Sequence, residues 1–495
     1  MRFFPYWVVV THFLNIFFML LLARSGLEIL SAFPKLYWRD DCPPGREWLR
    51  FSRKVFSADS RKPWSSLDEE ESWSSVVALP GRKNLGLGRH WHFMSIQFWI
   101  LTGAVYVALV FATGYWRYLI PTSWSILPDA VRAAGSYLSF HYPPLIPGQP
   151  YNAVQKLSYF VVIFILAPLQ IATGAAMSPS VIAQFPWYTK IFGGKQGARS
   201  LHFLGLCAFA AFTFVHTIMV IIHGVPHEFA AIVLGSYQAN TQLALAVGLT
   251  GIFLILLFHL VITWFSLRYR RLTQRFLGRV VDPFERVLSR TFRSRQHFSP
   301  QAISPYHRVN GYPPTSQEYE RLASGGFRDF RLPIGGLVQA PALLSLEELR
   351  GLGIQTQITK HNCIQGWTAV AQWSGIALSR LIELVKPTPE ADTLVFYAFD
   401  DKGVTEGEGR FGYFYGTIPI WLATKPQTIL VVEMNGGPLP IEHGAPLRLR
   451  IETQLGFKMV KWIKGIEFTH GHQHIGMGQG GWREDQQYYA NAAGI

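Results

Sequence analysis

His202 and His216 stand fourteen residues apart in SLHFLGLCAFAAFTFVHTIMV, residues 200–220, an otherwise apolar run. An ionisable side chain in hydrocarbon is costly, so each is a functional candidate, with an interhelical hydrogen bond as the plainer reading of a lone histidine. On a helix, fourteen residues rise about 21 Å and stop about 40° short of four full turns, so the two imidazoles share one face at opposite depths. His12 lies in a second apolar run, and RHWHF (89–93) sets His90 and His92 at the entry to a third. In KHNCIQGWTAV, Lys360 and His361 are near enough to Cys363 in sequence to favour its thiolate, a soft ligand for a heavy metal. His443, Arg448, Lys458 and Lys461 fall within nineteen residues among glycines and prolines. Such donors suit a phosphate, since arginine supplies a bidentate fork and lysine a point charge; a charged edge strand is the alternative.

The elements that must carry the histidines are apolar runs long enough to cross a hydrocarbon layer of roughly 30 Å. Five qualify, near 4–28, 91–113, 156–177, 200–223 and 242–267; the first also reads as a signal peptide ending in LLARSG. Residues 32–89 hold eleven Lys and Arg, 178–199 hold three and 268–295 hold nine arginines. The alternate loops carry only Arg117 and Arg132, so the positive-inside bias puts the N-terminus outside and the C-terminus in the cytoplasm. Depth then pairs the imidazoles. His12 and His216 fall toward the outer face, and His202 falls toward the inner face with His92 or His90, His92 being preferred as one step deeper along the span's face. Two facing imidazoles at each of two levels are what low-spin haem iron needs for its axial ligands.

The chain of 495 residues is too long for one core, and its 49% apolar content concentrates in the first 267 residues. A net charge of +14 points to anionic lipid beside the spans and not to nucleic acid. Cys42, Cys207 and Cys363 are too scattered for a disulfide framework, and Cys207, among Leu, Ala and Phe, reads as packing. From 300 onward, short strand-like runs at 393–399, 428–434 and 447–451 alternate with Gly and Pro turns, and helices are expected at 346–350 and 378–385. The expected architecture is multi-domain. An all-α transmembrane bundle of about five spans (1–267) leads through a basic linker, interfacial or solvated (268–304), to a soluble α+β domain (305–495). No feature specifies an oligomeric state.

His12 followed by Phe13, with Ser25-Gly26 after it, RHWHF and the His202/His216 pair together resemble the di-haem b-type cytochrome subunits found with hydrogenases and formate dehydrogenases, over about residues 4–223. That resemblance implies two haem b groups held by His12, His92, His202 and His216. His259, in the fifth span, reads first as a helix–helix hydrogen bond and more sharply as a quinone contact, and His223 and His227 are further quinone-site candidates.

RVNG (308–311), NCIQGW (362–367), MNGGPLP (434–440), HGAPLR (443–448) and GFKMVKW (456–462) resemble the sulfite oxidase fold family of molybdenum enzymes over about residues 305–470. The resemblance implies that Cys363 binds molybdenum. It further implies that Asn310, His443, Arg448, Lys458 and Lys461 hold the molybdopterin and its phosphate. In sulfite oxidases arginines closely follow the cysteine, whereas here Gln365, Gly366, Trp367 and Thr368 do. The spacing is more similar to the branch typified by the catalytic subunit of methionine sulfoxide reductase. A tyrosine near the family's C-terminal region has Tyr488 or Tyr489 as its counterpart. The expectation is a multi-pass enzyme of a bacterial inner membrane, its catalytic domain on the cytoplasmic side, passing electrons between quinone or quinol and a small redox substrate. Reduction of a sulfoxide or N-oxide is favoured over oxidation of sulfite, and a degenerate docking domain is a further alternative.

Overall fold

The structure, a computed structural model, describes residues 4–54, 64–139, 141, 143–400 and 414–495. It divides into two compact units, neither of them contiguous in sequence. One comprises Met1–Ser25, Trp91–Gly174 and Leu201–Arg268, and the other Gly26–His90, Ala175–Ser200 and Tyr269–Ile495.

The five expected spans are all helical and each runs a little past its apolar core: α1 (Tyr6–Ala32), α2 (Leu85–Ala112), α3 (Ala153–Ala175), α4 (Gly194–His223) and α5 (Thr241–Arg268). At 1.5 Å per residue they measure roughly 34–45 Å, enough to cross a bilayer core. No more than 22% of the most apolar window of any of them is buried inside the protein, so their outer surfaces need lipid to cover them. Cys207 is exposed on α4 and not packed as expected. A span that is apolar all round does not reveal which face meets lipid. Asn15 of α1 accepts a hydrogen bond from Trp99 Nε1 of α2 at 3.0 Å, joining two helices through polar groups that lipid would leave unsatisfied. In α3 the turn Val162–Leu166 is π-helical, and Pro168 lies two residues beyond it. Proline has no N–H to return to the preceding turn, and a wider turn re-uses the carbonyls it leaves.

The second unit is built on two five-stranded sheets. The strands of these two sheets are β1 (Arg331–Gly336), β2 (Ala342–Ser345), β3 (Ile354–Asn362), β4 (Thr368–Ala377), β5 (Thr393–Ala398), β6 (Tyr415–Pro419), β7 (Ile429–Met434), β8 (Gly437–Pro438), β9 (Arg448–Arg450) and β10 (Ile463–Thr469). One sheet runs β8-β7-β4-β3 with β9 also on β7, and the other runs β2-β1-β10-β5-β6. Among the described strands only β1 and β10 pair in parallel. Trp373, Phe396 and Phe468, all fully buried, belong to one core with Leu381. Leu381 lies on the expected helix Leu378–Val385, and the other expected helix is Leu346–Gly351.

Segments between the spans join this unit. Glu69 pairs with both Lys35 and Arg308, and the three side chains are 0–3% exposed. Arg199 donates through both terminal nitrogens to the carbonyls of Phe33 and Lys35 at 2.5 Å. The basic stretch after the last span is a helix, Arg270–Thr291, with Leu277 and Val281 buried.

Candidate functional site

In the helical unit, His12 of α1 and His216 of α4 face each other with ring centroids 6.3 Å apart and planes at 67°. His92 of α2 and His202 of α4 do the same at 6.4 Å and 69°. A metal–imidazole bond is about 2 Å, and roughly 1 Å separates ring nitrogen from ring centre, so two imidazoles sharing one metal have centroids about 6 Å apart. Both pairs have that spacing. Ser25 Oγ lies 3.1 Å from His92 Nδ1 and donates its own proton to Leu21 O at 2.6 Å. Thr173 Oγ1 lies 3.1 Å from His202 Nδ1 and donates to Leu169 O at 2.8 Å. Each hydroxyl therefore accepts from an Nδ1–H, which assigns both tautomers and leaves Nε2 as the nitrogen able to bind a metal.

His90, the alternative to His92, is buried with Nδ1 on Gly86 O at 2.8 Å and belongs to the other unit. His259 meets Arg24, whose Nη1 is 3.2 Å from its Nδ1 and whose Nη2 donates to Thr263 Oγ1 at 2.9 Å. His223 stacks on Tyr137 and His227 on Tyr237.

In the sheet unit, β3 and β4 form a hairpin in register from Ile354↔Ile376 to Asn362↔Thr368, and residues 363–367 are its loop. Cys363 N donates to Trp367 O at 3.0 Å, and Gly366 N to Cys363 O at 3.1 Å. Gly366 has φ +125°, a conformation that favours glycine, and a Cβ there would also crowd the Arg199 guanidinium at 3.2–3.5 Å. The loop presents Cys363 to a cleft of about 760 Å³, part of it open to solvent. Asn310 Nδ2 lies 3.6 Å from Cys363 Sγ and 3.1 Å from Gln365 Oε1. Arg448, from β9, and His443, from the turn before it, also line the cleft, as does Lys461, whose Nζ donates to Asn310 O at 2.7 Å.

Lys458 is the expected residue that the structure does not place there. Its ammonium donates to Glu484 Oε1 at 2.6 Å and Asn491 Oδ1 at 2.8 Å, and both charged side chains are 3% exposed. Of the two expected neighbours of the thiol, His361 lines the same cleft and Lys360 does not. Lys360 pairs with Asp40, and the charges acting on Cys363 are those of Lys195 and Arg483. Burial pushes the thiol up from its ordinary pKa, opposed by hydrogen bonds from Gln365 and Asn310 and by those two cations. Burial, with the Arg448 and Lys461 charges, holds His443 down to about 3, so it is a neutral donor or acceptor. Arg448 is lowered to about 9 by burial and by Arg450, and is still a cation at neutral pH.

Sequence reasoning missed His307, Arg308 and Arg483 as cleft residues. Arg483, from the helix Trp482–Gln486, donates to Asn310 Oδ1 at 3.3 Å and Gln487 Oε1 at 2.7 Å. Its only sequence signal is a cation beside an aromatic in a glycine-rich tail. Of the two tyrosines left open, Tyr489 lines the cleft, while Tyr488 lies under the Arg271 guanidinium at 5.2 Å. A molybdopterin fits this donor set on structural grounds. His307 Nε2 and Arg448 Nε are buried with no hydrogen-bond partner among the described residues, as expected of groups arranged for a polar ligand.

Paired intramembrane imidazoles and a buried thiol in a cationic cleft define a membrane cytochrome b joined to a molybdopterin-binding oxidoreductase domain. Residues 4–235 match the family described as prokaryotic cytochrome b561, and residues 322–475 the oxidoreductase molybdopterin binding domain; the chain is a fusion of the two. A chain of Azospira oryzae named for the YedZ1 subunit of a protein-methionine-sulfoxide reductase is 33% identical over 159 residues, 32% of this chain and 54% of that one. The protein-methionine-sulfoxide reductase catalytic subunit MsrP of Campylobacter jejuni is 32% identical over 148 residues, 29% of this chain and 50% of that one. The chain thus spans about half the length of these curated relatives. The crystal structure of the sulfane dehydrogenase SoxCD from Paracoccus pantotrophus aligns with 37% of this chain and 46% of that one at 20% identity and a TM-score of 0.28, too slight a likeness to carry an argument.

Proposed function

We propose that the protein draws electrons from a quinol pool through two b haems to a molybdopterin centre and there reduces a sulfoxide- or N-oxide-like substrate, in a bacterial inner membrane with the catalytic domain on the cytoplasmic side. The observation that carries the reading is the occurrence, in one chain, of two imidazole pairs at metal-bridging separation and of Cys363 in a cationic cleft. When bound, each haem carries one electron and the molybdenum centre two, coupled to transfer of an oxygen atom. The protein supplies ligands, orientation and electrostatics.

His12 with His216 and His92 with His202 are the haem ligands in this reading, and Ser25 and Thr173 hold two of them in the required tautomer. Cys363 is the metal's thiolate, formed by releasing its proton as the metal binds. Arg448, Lys461, His443 and Asn310 hold the pterin and its phosphate, with the charge coming from Arg448 and Lys461. The eleven Lys and Arg of 32–89 and the nine arginines of 268–295 support the cytoplasmic side.

A second reading, oxidation of an oxyanion such as sulfite with electrons passing to quinone, is favoured by one observation: Arg483 brings a guanidinium into the cleft that the residues after Cys363 lack. Purified full-length protein should contain molybdenum and show a b-type reduced-minus-oxidised spectrum. Quinol should reduce its haems, and a methyl sulfoxide should reoxidise them. Reduction of the haems by sulfite, with no reoxidation by sulfoxide, selects the second reading, and a protein without molybdenum or haem refutes both. Cys363→Ser should abolish sulfoxide-driven reoxidation and leave the haem spectrum intact.

A further inference from the structure

Gln365 stands between Cys363 and a carboxylate from the segment that joins the first two spans. Its Oε1 accepts from Ser66 Oγ at 2.7 Å, Asn310 Nδ2 at 3.1 Å and Trp367 Nε1 at 3.2 Å, and lies 3.6 Å from Cys363 Sγ. That crowd of donors fixes the amide's orientation and sends Nε2 the other way, where it donates to Glu70 Oε1 at 2.8 Å and Ser66 O at 3.1 Å. Glu70 lines a second cavity of about 530 Å³, partly open to solvent, whose walls include Glu28, Lys83, Asn84, Arg270 and Tyr489. Tyr489 also lines the cleft of Cys363, so one side chain forms a wall common to both spaces. Glu70 and Cys363 are both among the groups whose charges act on its hydroxyl.

Removal of oxygen from a sulfoxide consumes protons. The S–O bond breaks, two electrons and two protons are taken up, and the products are a sulfide and water: R2S=O + 2H⁺ + 2e⁻ → R2S + H2O. The electrons come from quinol, and the protons must arrive beside Cys363 in step with them. We propose that the second cavity is the proton inlet of the cofactor cleft, with Glu70 the carboxyl that loads each proton and Tyr489 the hydroxyl wall across which it passes. Gln365 is the positioning residue that keeps Glu70 at the inlet. The proposal rests on the reductive reading given above.

The electrostatics agree with the geometry. Burial raises the Glu70 pKa above the ordinary carboxyl value, opposed by the Gln365 hydrogen bond and by the charges of Arg483, Lys83 and Lys54. Glu28 adds a like charge near Glu70, and Tyr489 lines the same cavity. A raised acid is loaded below its pKa and empty above it, so proton supply, and turnover with it, falls as pH rises through that value.

The test compares the full-length protein with Glu70→Gln. Haem and molybdenum contents should match. For sulfoxide reduction, kcat should fall at least about tenfold with KM unchanged, and the high-pH limb of the wild-type profile should be missing. Glu70→Asp should restore part of kcat with the limb displaced, and it carries the test alone should the glutamine variant fail to fold. Infrared difference spectra of cofactor-free chain, which need no turnover, should show a protonated-carboxyl band that titrates in wild type and is absent from Glu70→Gln. An active wild type matched by Glu70→Gln in kcat and pH profile overturns the inlet and leaves the reductive function standing. A wild type inactive on sulfoxides, with the carboxyl band still titrating, overturns the function and leaves Glu70 as a proton-loading group. Absence of the band from wild type overturns the proposal outright.

Discussion

Ser25 Oγ sits 3.1 Å from His92 Nδ1, with its own proton committed to the Leu21 carbonyl. A serine in α1 therefore sets the tautomer of a histidine in α2, and by accepting the Nδ1–H it makes Nε2 a stronger donor to any metal bound there. Stronger donation favours ferric over ferrous iron. Ser25→Ala should raise the midpoint potential of one b haem and leave the other unchanged. A hydrogen bond of about 1 kcal/mol corresponds to on the order of 40 mV for one electron. Potentiometric titration of the purified protein reads the shift, and an unshifted pair of midpoints would remove Ser25 from any role at the iron.

His202 and His216 lie on one face of α4 and meet partners on different helices, His92 on α2 and His12 on α1. His202→Ala should leave one haem per chain and His216→Ala the other, each with a single remaining midpoint, while the double variant should bind none. Haem quantitation against protein decides it. Full haem content in the double variant would mean the imidazoles pair for another reason.

How much of this was legible from sequence depends on the range of the interaction. Span positions follow from the length of the apolar runs, and the pairing of His12 with His216 followed from helical rise and loop charge, both local quantities. The strands at 393–399 and 428–434 were legible from β-branched runs between turns, and the structure has them at Thr393–Ala398 and Ile429–Met434. What could not be read is where segments pack across hundreds of residues. Nothing in SSLDEEE says that Glu69 meets Arg308 or that Glu70 meets Gln365, contacts 239 and 295 residues apart. Arg483 was hidden for the same reason. Lys458 and Lys461 look equivalent in GFKMVKW, but Lys458 lies in a 3-10 turn and Lys461 beyond it, and no spacing rule says which reaches the cleft.

Glu69 lies between Lys35 and Arg308 with essentially no solvent contact. Removing its charge leaves two buried cations facing each other, a situation that costs about 3–5 kcal/mol. Glu69→Gln should lower the apparent unfolding midpoint by roughly 10 °C in detergent. It should also loosen the segment that carries Glu70. Circular dichroism melts check the first effect, and proteolysis between residues 64 and 84 the second.

Lys458 and Lys461 should separate by phenotype, because one is consumed in a buried ion pair and the other borders the cleft. Lys458→Met strands the Glu484 carboxylate, whose pKa burial already raises. With the ammonium gone, the carboxyl rises further, so the variant loses about 3–5 kcal/mol at neutral pH. A carboxyl raised on folding contributes stability below its unfolded pKa and loses it as pH climbs, so the deficit should shrink on acidification toward the ordinary glutamate value. Lys461 is only partly buried, and Lys461→Met removes a cation from the cleft. It should melt near wild type and yet retain less molybdopterin after gel filtration, by roughly tenfold in affinity if one charged hydrogen bond is lost. Melting curves at two pH values, read beside molybdenum content, distinguish the two lysines; loss of the cofactor from Lys458→Met at wild-type stability would reverse the assignment.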